Sequence, residues 1–382
     1  MKNNWEIKKF SYLCDIHRGS SPRPIHEWIS HNGIPWIKIA DATKTNSRFV
    51  STTREYIKYS EKFKGVRVYP GDLVLTNSAT PGIPKIINLE GCIHDGWLLF
   101  RNFNNIDKIF AYYLLINERP KIIQKGSGTI FTNLKIDILK NHVIEIPPLN
   151  EQRAIAGVLS SLDDKIDLLH RQNETLEALA ETLFRQWFIE EAQDDWEEKP
   201  LDEISDYLNG MACQKYPPKN EMDRLPVLKI KELRGGISDK SDWASTDISD
   251  EYIVHNGDVV FSWSGSLLVK IWDGELSILN QHLFKVTSLS YPKWFYYLWT
   301  QHYLRKFISI AQSKTTTMGH IKRGDLANSM VLIPIPKYLN SMNEIFAPLI
   351  TKMIFNNQQI ITLEKLRNTL LPKLMSGEVR VL

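Results

Sequence analysis

A heptad pattern between Asn150 and Glu190 restricts the possible folds of this chain more than any other stretch. Its seam positions alternate at spacings of four and three and are Ile155, Leu159, Leu162, Ile166, Leu169, Asn173, Leu176, Ala180, Leu183 and Trp187. This spacing predicts a long helix that buries a narrow stripe against a second helix. Pro147 and Pro148 exclude a helix upstream, which makes Asn150 the predicted N-cap. At about 1.5 Å per residue, a helix of about 37 residues would be about 55 Å long, so it needs a partner along its length.

The end of the chain contains the predicted partner helix. A capping box that begins at Ser341 predicts its start, Pro372 is expected to kink or end it, and Gly377 is the predicted stop. Its seam positions are Leu349, Met353, Asn356, Ile360, Leu363, Arg367, Leu370 and Leu374. We expect the two helices to pair antiparallel, with Asn173 beside Asn356 as a polar pair that fixes their register.

The sequence is also duplicated, with equivalent segments about 190 residues apart. The matching segments are WE at 5–6 and 196–197, IPWIKI at 34–39 and LPVLKI at 225–230, PGDLVL at 70–75 and NGDVVF at 256–261, and TLE at 175–177 and 362–364. So long a period indicates a duplicated globular domain with a long helix after each copy, and not a solenoid. Short strands bounded by Gly, Asn and Pro, together with a shorter helix, predict a mixed α+β domain. The predicted architecture is α+β and pseudo-twofold symmetric, with segments 1–146, 147–195, 196–333 and 334–382.

The net charge of +3 conceals an uneven distribution of charge. Basic residues outnumber acidic ones by 21 to 13 in residues 1–146, whereas acidic residues outnumber basic ones by 11 to 4 in residues 147–195. The basic and acidic counts are 16 and 17 in residues 196–333, and 6 and 3 in residues 334–382. A basic first segment suits a polyanionic partner, and the acidic helix is expected not to contact it.

Other features predict a cytoplasmic protein. No apolar run reaches about 18 residues, so we expect no transmembrane helix, and the N-terminal sequence MKNNWEIKKF has no signal-peptide core. Cys14, Cys92 and Cys213 are far apart and lack the spacing of a metal site. We therefore expect reduced cysteines and no bound metal.

The common catalytic and cofactor motifs are absent from the sequence. It contains no GxxxxGK[ST] phosphate loop, no GxGxxG after a strand, no HExxH and no CxxC. The Pro-Pro motifs at 146–149 and 216–219 lack the neighbours with which amino-methyltransferases hold a flipped base. We predict that the chain is not itself an enzyme, has no catalytic residues and binds no cofactor.

Three polar loops recur at equivalent places in the two copies. They are HRGSSPRP at 17–24 and LNGMACQKYPPK at 208–219, TNSATPG at 76–82 and SWSGS at 262–266, and GSGTIFTN at 126–133 and SKTTTMGH at 313–320. Arg binds guanine, Asn binds adenine, and Ser, Thr and backbone N–H groups hold phosphates, so these loops suit nucleic acid. Any one residue could equally belong to an ordinary surface loop. The two copies are similar in the sequence of their strands and helices but differ in these loops. We therefore expect the two domains to recognise different ligands.

The predicted contact residues come from these loops and from the cations beside them. They are Arg18, Ser20, Ser21, Arg23, Lys38, Lys44, Asn77, Ser78, Thr80, Lys125, Ser127, Thr129, Asn133, Asn209, Lys215, Lys229, Lys231, Trp263, Ser264, Lys314, Thr315, Thr316, His320 and Lys322. Among the aromatic residues, Trp263 is the predicted exposed contact. Trp36, Trp97, Phe110 and Phe295 are predicted to lie in the core.

These motifs resemble one known family. The order of domain, IPPLNEQRAI, long helix, domain and long helix resembles the specificity subunit of type I restriction–modification systems. IPPLNEQRAIAGVLSSLDDKIDLL at 146–169 is similar to the central region of that family. RGSSPRP, IPWIKIAD, GDLVLTNSATPG, NQHLFKV at 280–286 and TTTMGHIKRGDL at 315–326 resemble its target-recognition segments.

The resemblance implies two target recognition domains held apart by an antiparallel helix pair. Each domain would read one part of a split, asymmetric target in double-stranded DNA, and the helices would set the spacer. The subunit would assemble with two methyltransferase (modification) subunits and with restriction (translocase) subunits. S-adenosylmethionine, ATP and Mg²⁺ would belong to those partners. The alternative is a protein-interaction scaffold built on the coiled coil, with loops that bind something other than DNA.

Overall fold

The computed structural model describes residues 4–43, 47–59, 65–126, 133–313 and 319–381. Contacts divide the chain into two units. Unit 1 comprises Met1–Asp167 and Leu363–Leu382, and unit 2 comprises Leu168–Thr362. Because this division cuts both long helices, the segment boundaries proposed from sequence stay a prediction.

Unit 1 contains one globular domain and a part of each long helix. Its strands are β1 (Glu6–Lys9), β2 (Asp15–Arg18), β3 (Ile29–Ser30), β4 (Ile34–Ile37), β5 (Phe49–Val50), β6 (Glu55–Ile57), β7 (Arg67–Val68), β8 (Leu73–Thr76), β9 (Pro84–Ile87), β10 (Gly91–Ile93), β11 (Trp97–Arg101) and β12 (Val143–Ile146). Its helices are α1 (Ile39–Ala42), α2 (Lys108–Gly126), α3 (Ile136–Lys140) and the first half of α4 (Leu149–Arg185). The sheets have the orders β3-β6-β4-β10-β7 and β2-β11-β8-β9-β5, and β1 pairs with β12.

Unit 2 contains the second globular domain. Its strands are β13 (Glu197–Pro200), β14 (Asp206–Asn209), β15 (Leu225–Leu228), β16 (Trp243–Ala244), β17 (Ile253–Val254), β18 (Val259–Ser262), β19 (Leu268–Ile271), β20 (Ser277–Leu279), β21 (Leu283–Thr287) and β22 (Met330–Ile333). Its helices are α5 (Leu201–Ile204), α6 (Ile230–Gly235), α7 (Lys293–Ser313), α8 (Arg323–Ala327) and most of α9 (Pro336–Ser376). The sheets have the orders β14-β21-β18-β19 and β16-β15-β20-β17, and β13 pairs with β22.

The two domains share one topology, which confirms the predicted duplication and the mixed α+β class. The order β2-β11-β8-β9 in unit 1 is repeated as β14-β21-β18-β19 in unit 2. In each domain an equivalent parallel pair, β4 with β10 or β15 with β20, lies inside the other sheet, whose other strand pairs are antiparallel. Unit 1 adds β5 at an edge, where it lies parallel to β9. The four aromatic residues predicted for the core are all buried.

The repeated Gly-Asp turn explains one of the strongest matches between the copies. Gly71 (φ 92°) and Gly257 (φ 91°) both adopt a left-handed backbone, which residues with a Cβ rarely adopt. The carboxylate of Asp72 accepts a hydrogen bond from the N–H of Tyr69, and Asp258 does the same for residue 255, at 2.9 Å in both copies. These turns lead directly into the buried strands β8 and β18.

The long helices run antiparallel within each unit. In unit 1, Glu151 pairs with Arg380 (3.1 Å) and Asp163 with Arg367 (2.6 Å). In unit 2, Asn356 Nδ2 donates a hydrogen bond to Asn173 Oδ1 at 2.9 Å. Asn356 is fully buried, so the amide pair confirms the predicted polar contact in the seam.

The other predicted seam residues are at least partly buried. Ile166, Leu169, Met353 and Ile360 are buried, whereas Leu162, Leu176, Leu183, Leu349, Leu363 and Leu370 are half-buried. Each helix also packs against its own globular domain, so it buries a wider stripe than a two-helix seam requires. Phe184 and Phe188, outside the predicted seam, are buried in the core of unit 2 for this reason.

Two expectations about where the helices begin were wrong. Helix α9 begins at Pro336 and not near Ser341, because proline suits the first helical turn. It does not end at Pro372 but continues to Ser376, because Leu371 and its neighbours pack into the core of unit 1, and the kink at Pro372 stays a prediction. Helix α4 begins one residue before Asn150, which lies inside the first turn. The predicted stop is confirmed, since Gly377 has φ 72° and the helix ends just before it.

Among the described residues, no helix is both long and apolar enough to cross a membrane.

Candidate nucleic-acid interface

Asp95, in the loop between β10 and β11, is the centre of the first candidate interface. Its carbonyl oxygen accepts hydrogen bonds from Arg18 Nε (2.9 Å) and Asn77 Nδ2 (3.4 Å). Its carboxylate accepts a hydrogen bond from Ser21 Oγ (2.7 Å) and pairs with Arg23 Nη2 (3.5 Å). Asp95 therefore connects the first polar loop, residues 17–24, to the second, which contains Asn77.

Hydrogen bonds keep Asp95 ionised. Burial alone would raise its pKa, but hydrogen bonds from Ser21 and His94 outweigh burial and hold the pKa below its ordinary value. Burial lowers the pKa of His94, whose Nε2 accepts a hydrogen bond from the N–H of Ile39 at 3.1 Å. The ionised carboxylate holds the guanidinium of Arg23 while 82% of that side chain stays exposed. Arg23 thus has a carboxylate partner and is still accessible to a ligand.

The second loop of this domain, residues 76–82, is held by backbone hydrogen bonds. The N–H of Asn77 donates to Gly96 O, and Asn77 O accepts from the N–H of Leu134, both at 2.8 Å. Leu134 follows the exposed Asn133, so the end of the third loop lies beside the second. Asn77 itself is 2% exposed, which makes its side chain a support of the loop in this conformation.

The repeated glycines Gly19 and Gly210 allow a close backbone approach in both domains. A Cβ at Gly19 would lie under 3.0 Å from the carbonyl oxygen of His94. A Cβ at Gly210 would make the same clash with the carbonyl oxygen of Asn280. The clash explains why glycine stands at this place in each copy, since any side chain would push the first loop away.

Gln281, in the loop between β20 and β21, occupies the place of Asp95 in the second domain, and His282 occupies the place of Gly96. The backbone N–H of Gln281 donates to Met211 O at 2.9 Å, which attaches the first loop of this domain. The hydroxyl of Ser264 lies 3.0 Å from His282 Nδ1, which attaches the second loop. Ser264 is 3% exposed, so it too supports the loop.

Trp263 connects all three polar loops of the second domain. Its Nε1–H donates to Asn209 Oδ1 at 3.0 Å, and its carbonyl oxygen accepts from the N–H of Ile321 at 3.0 Å. Its ring stacks on Phe284 with centroids 5.8 Å apart and meets His320 edge-on at 6.3 Å. The sequence had suggested that Trp263 is exposed. In the structure it is half-buried.

Several predicted contact cations are paired within their own domain. Lys38 Nζ lies 2.6 Å from Glu55 Oε1, and Lys229 pairs with Asp242. Lys125 Nζ donates to His142 Nδ1 at 3.1 Å. Each of these ammonium groups has further N–H donors for a phosphate, but the acidic partners of Lys38 and Lys229 offset part of their positive charge and lower the gain in binding free energy.

The remaining predicted residues differ in exposure. The exposed ones are Arg18, Arg23, Thr80, Lys125, Asn133, Asn209, Lys215, Lys231 and Lys322. The half-buried ones are Ser20, Ser21, Lys38, Ser78, Lys229, Trp263 and His320. Lys44, Ser127, Thr129, Lys314, Thr315 and Thr316 lie outside the described residues. Contact with DNA stays a prediction for every one of them.

Sequence reasoning missed His94, Asp95, Gln281 and His282 as the residues that hold the loops together. A signal was present, because a polar triplet, HDG or NQH, stands between two apolar strands at the same place in each copy. Within the described parts of the chain, no cluster of His, Cys, Asp and Glu could hold a metal ion.

The type I restriction modification DNA specificity domain family has a model that matches residues 2–178 and 193–365. The chain belongs to this family. It is 28% identical to the MjaIX specificity subunit of Methanocaldococcus jannaschii, over 99% of this chain and 94% of that protein. It is 22% identical to the MjaVIII specificity subunit of the same organism, over 99% and 93% of the two chains.

A solved structure also resembles this fold. The type I restriction–modification S subunit from M. genitalium superposes with a TM-score of 0.57 at 17% sequence identity. The match covers 97% of this chain and 96% of that one, so the resemblance in fold extends over both domains.

Proposed function

We propose that this chain is the DNA-reading subunit of a type I restriction–modification assembly. Each globular domain reads one part of a split, asymmetric target in double-stranded DNA. The observation that carries the proposal is the loop arrangement: in each domain a loop between two buried strands holds the polar loops, and its residues differ between the domains. One framework with two sets of side chains suits two half-sites of different sequence.

The exposed side chains have the chemistry to read base edges and phosphates. In the first domain Arg23 presents an exposed guanidinium, which suits the two acceptors of guanine. In the second domain Asn209 is exposed, and its amide suits adenine. The excess of basic residues in 1–146 adds a contribution that depends on salt but not on sequence.

The helices act as the spacer and as the docking surface for partners. Helix α4 runs without a break for 37 residues from unit 1 into unit 2. Its length sets the number of base pairs between the half-sites. Two methyltransferase subunits and the restriction (translocase) subunits bind the complex, and they carry S-adenosylmethionine, ATP and Mg²⁺. The chain itself performs no catalysis.

Mapping of methylated sites in DNA from cells that produce the complete system tests this proposal. A single bipartite motif that disappears when this chain is deleted supports it. Insertion of four residues into the middle of both long helices adds about 6 Å and should lengthen the spacer by about two base pairs. An unchanged spacer contradicts the role of the helices.

Binding of purified protein to random duplex DNA at two salt concentrations separates the proposal from a scaffold that does not bind DNA. Affinity for DNA should fall steeply with salt, because phosphate contacts release counterions. The absence of any binding at low salt would favour the scaffold.

A further inference from the structure

A group of charges lies between the first globular domain and the helices of unit 1; Arg48, Lys85 and Asp163 are buried, Asp167 and Arg367 are half-buried, and Asp164 is exposed. Two of its members come from the domain, Arg48 (8% exposed) and Lys85 (5% exposed). The others stand on the helices and are Asp163, Asp164 and Asp167 of α4 and Arg367 of α9. We call these six residues the docking cluster.

The docking cluster is connected by short contacts. The guanidinium of Arg48 pairs with Asp164 and lies 3.9 Å from Asp167 Oδ2. Asp163 pairs with Arg367 at 2.6 Å and accepts a hydrogen bond from Tyr113 Oη, also at 2.6 Å. Because Tyr113 belongs to α2 of the domain, its hydrogen bond and the Arg48 pair connect the domain to α4, whereas the Asp163–Arg367 pair connects α4 to α9.

The places in unit 2 that are equivalent to Asp163 and Arg367 are apolar. At the repeat distance of 187 residues that relates the helices, Asp163 corresponds to Ile350 and Arg367 to Ala180. Ile350 and Ala180 are 3% and 1% exposed, in the core of unit 2. The chain therefore uses a charged pair and an apolar pair at equivalent positions.

This difference indicates that the docking cluster is not needed merely for stability. Burial of charges is costly, and apolar groups of similar volume often stabilise a protein equally well or better. Burial lowers the pKa of Lys85 to about 8, although Asp167 opposes the shift, which is a sign of this cost. Charged groups with paired hydrogen bonds do, however, restrict geometry more strongly than apolar contacts.

We propose that the docking cluster fixes the orientation of the first domain on its helices and thereby restricts the spacer lengths that the protein accepts. The inference rests on the proposed function. An added or removed base pair both shifts and rotates one half-site relative to the other. A domain with a fixed orientation on its helices cannot reach the displaced half-site, whereas a loosely docked domain can.

Two variants test the docking cluster in the full chain with its methyltransferase subunits. The first combines Tyr113→Phe, Asp163→Ile and Arg367→Ala, which introduces the apolar pair used in unit 2. The second is Arg48→Met. The control is Arg185→Gln, which breaks an exposed ion pair with Glu190 (3.3 Å) on the same long helix.

Binding is measured to duplexes that carry the mapped target with its own spacer or with one base pair more or fewer. Wild type and the control should prefer the native spacer by about ten-fold or more, as for a mismatched site. Both test variants should lose most of this preference while they keep the base preference of each half-site and bind the native duplex nearly as well.

Three results would overturn the inference. The first is full spacer discrimination in both variants. The second is loss of folding in both, measured as loss of the thermal transition, because the cluster would then be structural. The third is reduced base preference in the first half-site without a change in spacer preference. A wild type that shows no preference for any spacer would instead overturn the proposed function itself, and this inference with it.

Discussion

The two globular domains share a backbone framework and differ in the chemistry that holds it. In the first domain an ionised aspartate, Asp95, holds the polar loops, and paired charges dock the domain on its helices. In the second, the pair Gln281 and His282 holds the loops, and Trp294 of the domain stacks on Phe346 of α9 with centroids 4.4 Å apart. The geometry is common to both domains, whereas charge is concentrated in the first. The side chains that hold the loops can therefore change in this protein while the backbone geometry stays the same.

The largest effect is expected at the shared glycines. Gly19→Ala and Gly210→Ala should each displace the first loop of its own domain, because the new Cβ collides with a backbone carbonyl. Overpacking of this kind typically costs about 1–3 kcal/mol, and at the upper end of this range binding to the native target should fall by about 100-fold. Gly157→Ala is the control, since nothing lies within 4 Å of its Cβ position. If only one of the two glycine substitutions lowered DNA binding, the loop arrangements of the two domains would not be equivalent.

Acid should destabilise unit 1 through Glu118. Burial would raise the pKa of this carboxyl, but hydrogen bonds with His142 (3.0 Å) and Lys121 (2.8 Å) lower it to about 2. Because the folded-state pKa is depressed, the stabilisation is present above about pH 4.5 and is lost as the pH falls towards 2. The shift corresponds to about 3 kcal/mol.

Thermal melting between pH 7 and pH 3 measures this loss. Glu118→Gln should melt at a lower temperature at pH 7 and should show a weaker dependence on pH below 4.5. If wild type and variant showed the same pH dependence of the melting temperature, the Glu118 carboxylate would not be the source of the acid sensitivity.

A smaller effect is expected when the two loop-holding residues are changed. Asp95→Asn removes the charge that pairs with Arg23, so discrimination among first half-site sequences should fall about ten-fold. Affinity for random DNA should rise slightly, because a negative charge is removed beside the phosphates. Gln281→Ala should change only the second half-site. Quantitative binding to a panel of half-site variants would show whether the effects stay in their own domains.

The smallest effects concern two buried tyrosines. Tyr113 donates to Asp163 at 2.6 Å in unit 1, and Tyr297 donates to Glu177 at 2.9 Å in unit 2. Each Tyr→Phe change should lower the free energy of unfolding by about 1.5 kcal/mol, the lower end of the range for a hydrogen bond to a charged group. We expect the greater loss for Tyr113→Phe, because Asp163 is buried. Urea denaturation measures both, and a larger loss at Tyr297 would contradict the view that charge matters more in unit 1.

The sequence was sufficient to predict the long helices, which have a heptad pattern, and the two similar domains, which have a repeated sequence. The Asn173–Asn356 contact could be predicted because both residues stand in heptad seams related by the duplication. The predicted start of α9 was wrong, because two start signals, the capping box at Ser341 and Pro336, lie close together, and the helix begins at the proline. Where two local signals have similar strength, tertiary packing decides which of them starts the helix.

The loop-holding contacts could not be predicted for a different reason. Ser21 and Asp95 are 74 positions apart, and Ser264 and His282 are 18 apart. No local pattern relates such residues, and only the paired strands on either side bring them together. Burial of Asn77 and Ser264 was hidden as well, since short polar residues in a loop look equally exposed in a sequence.

Unit 1 is assembled from both ends of the chain. Leu371, Leu374 and Met375, near the C-terminus, lie in the same core as Phe10 and Phe110. Unit 2 is continuous in sequence and ends at Thr362. Because a ribosome makes the chain from its N-terminus, all of unit 2 is synthesised before the residues that complete the core of unit 1. The first domain is therefore synthesised before unit 2, but its core is complete only after Leu371, Leu374 and Met375 have been made.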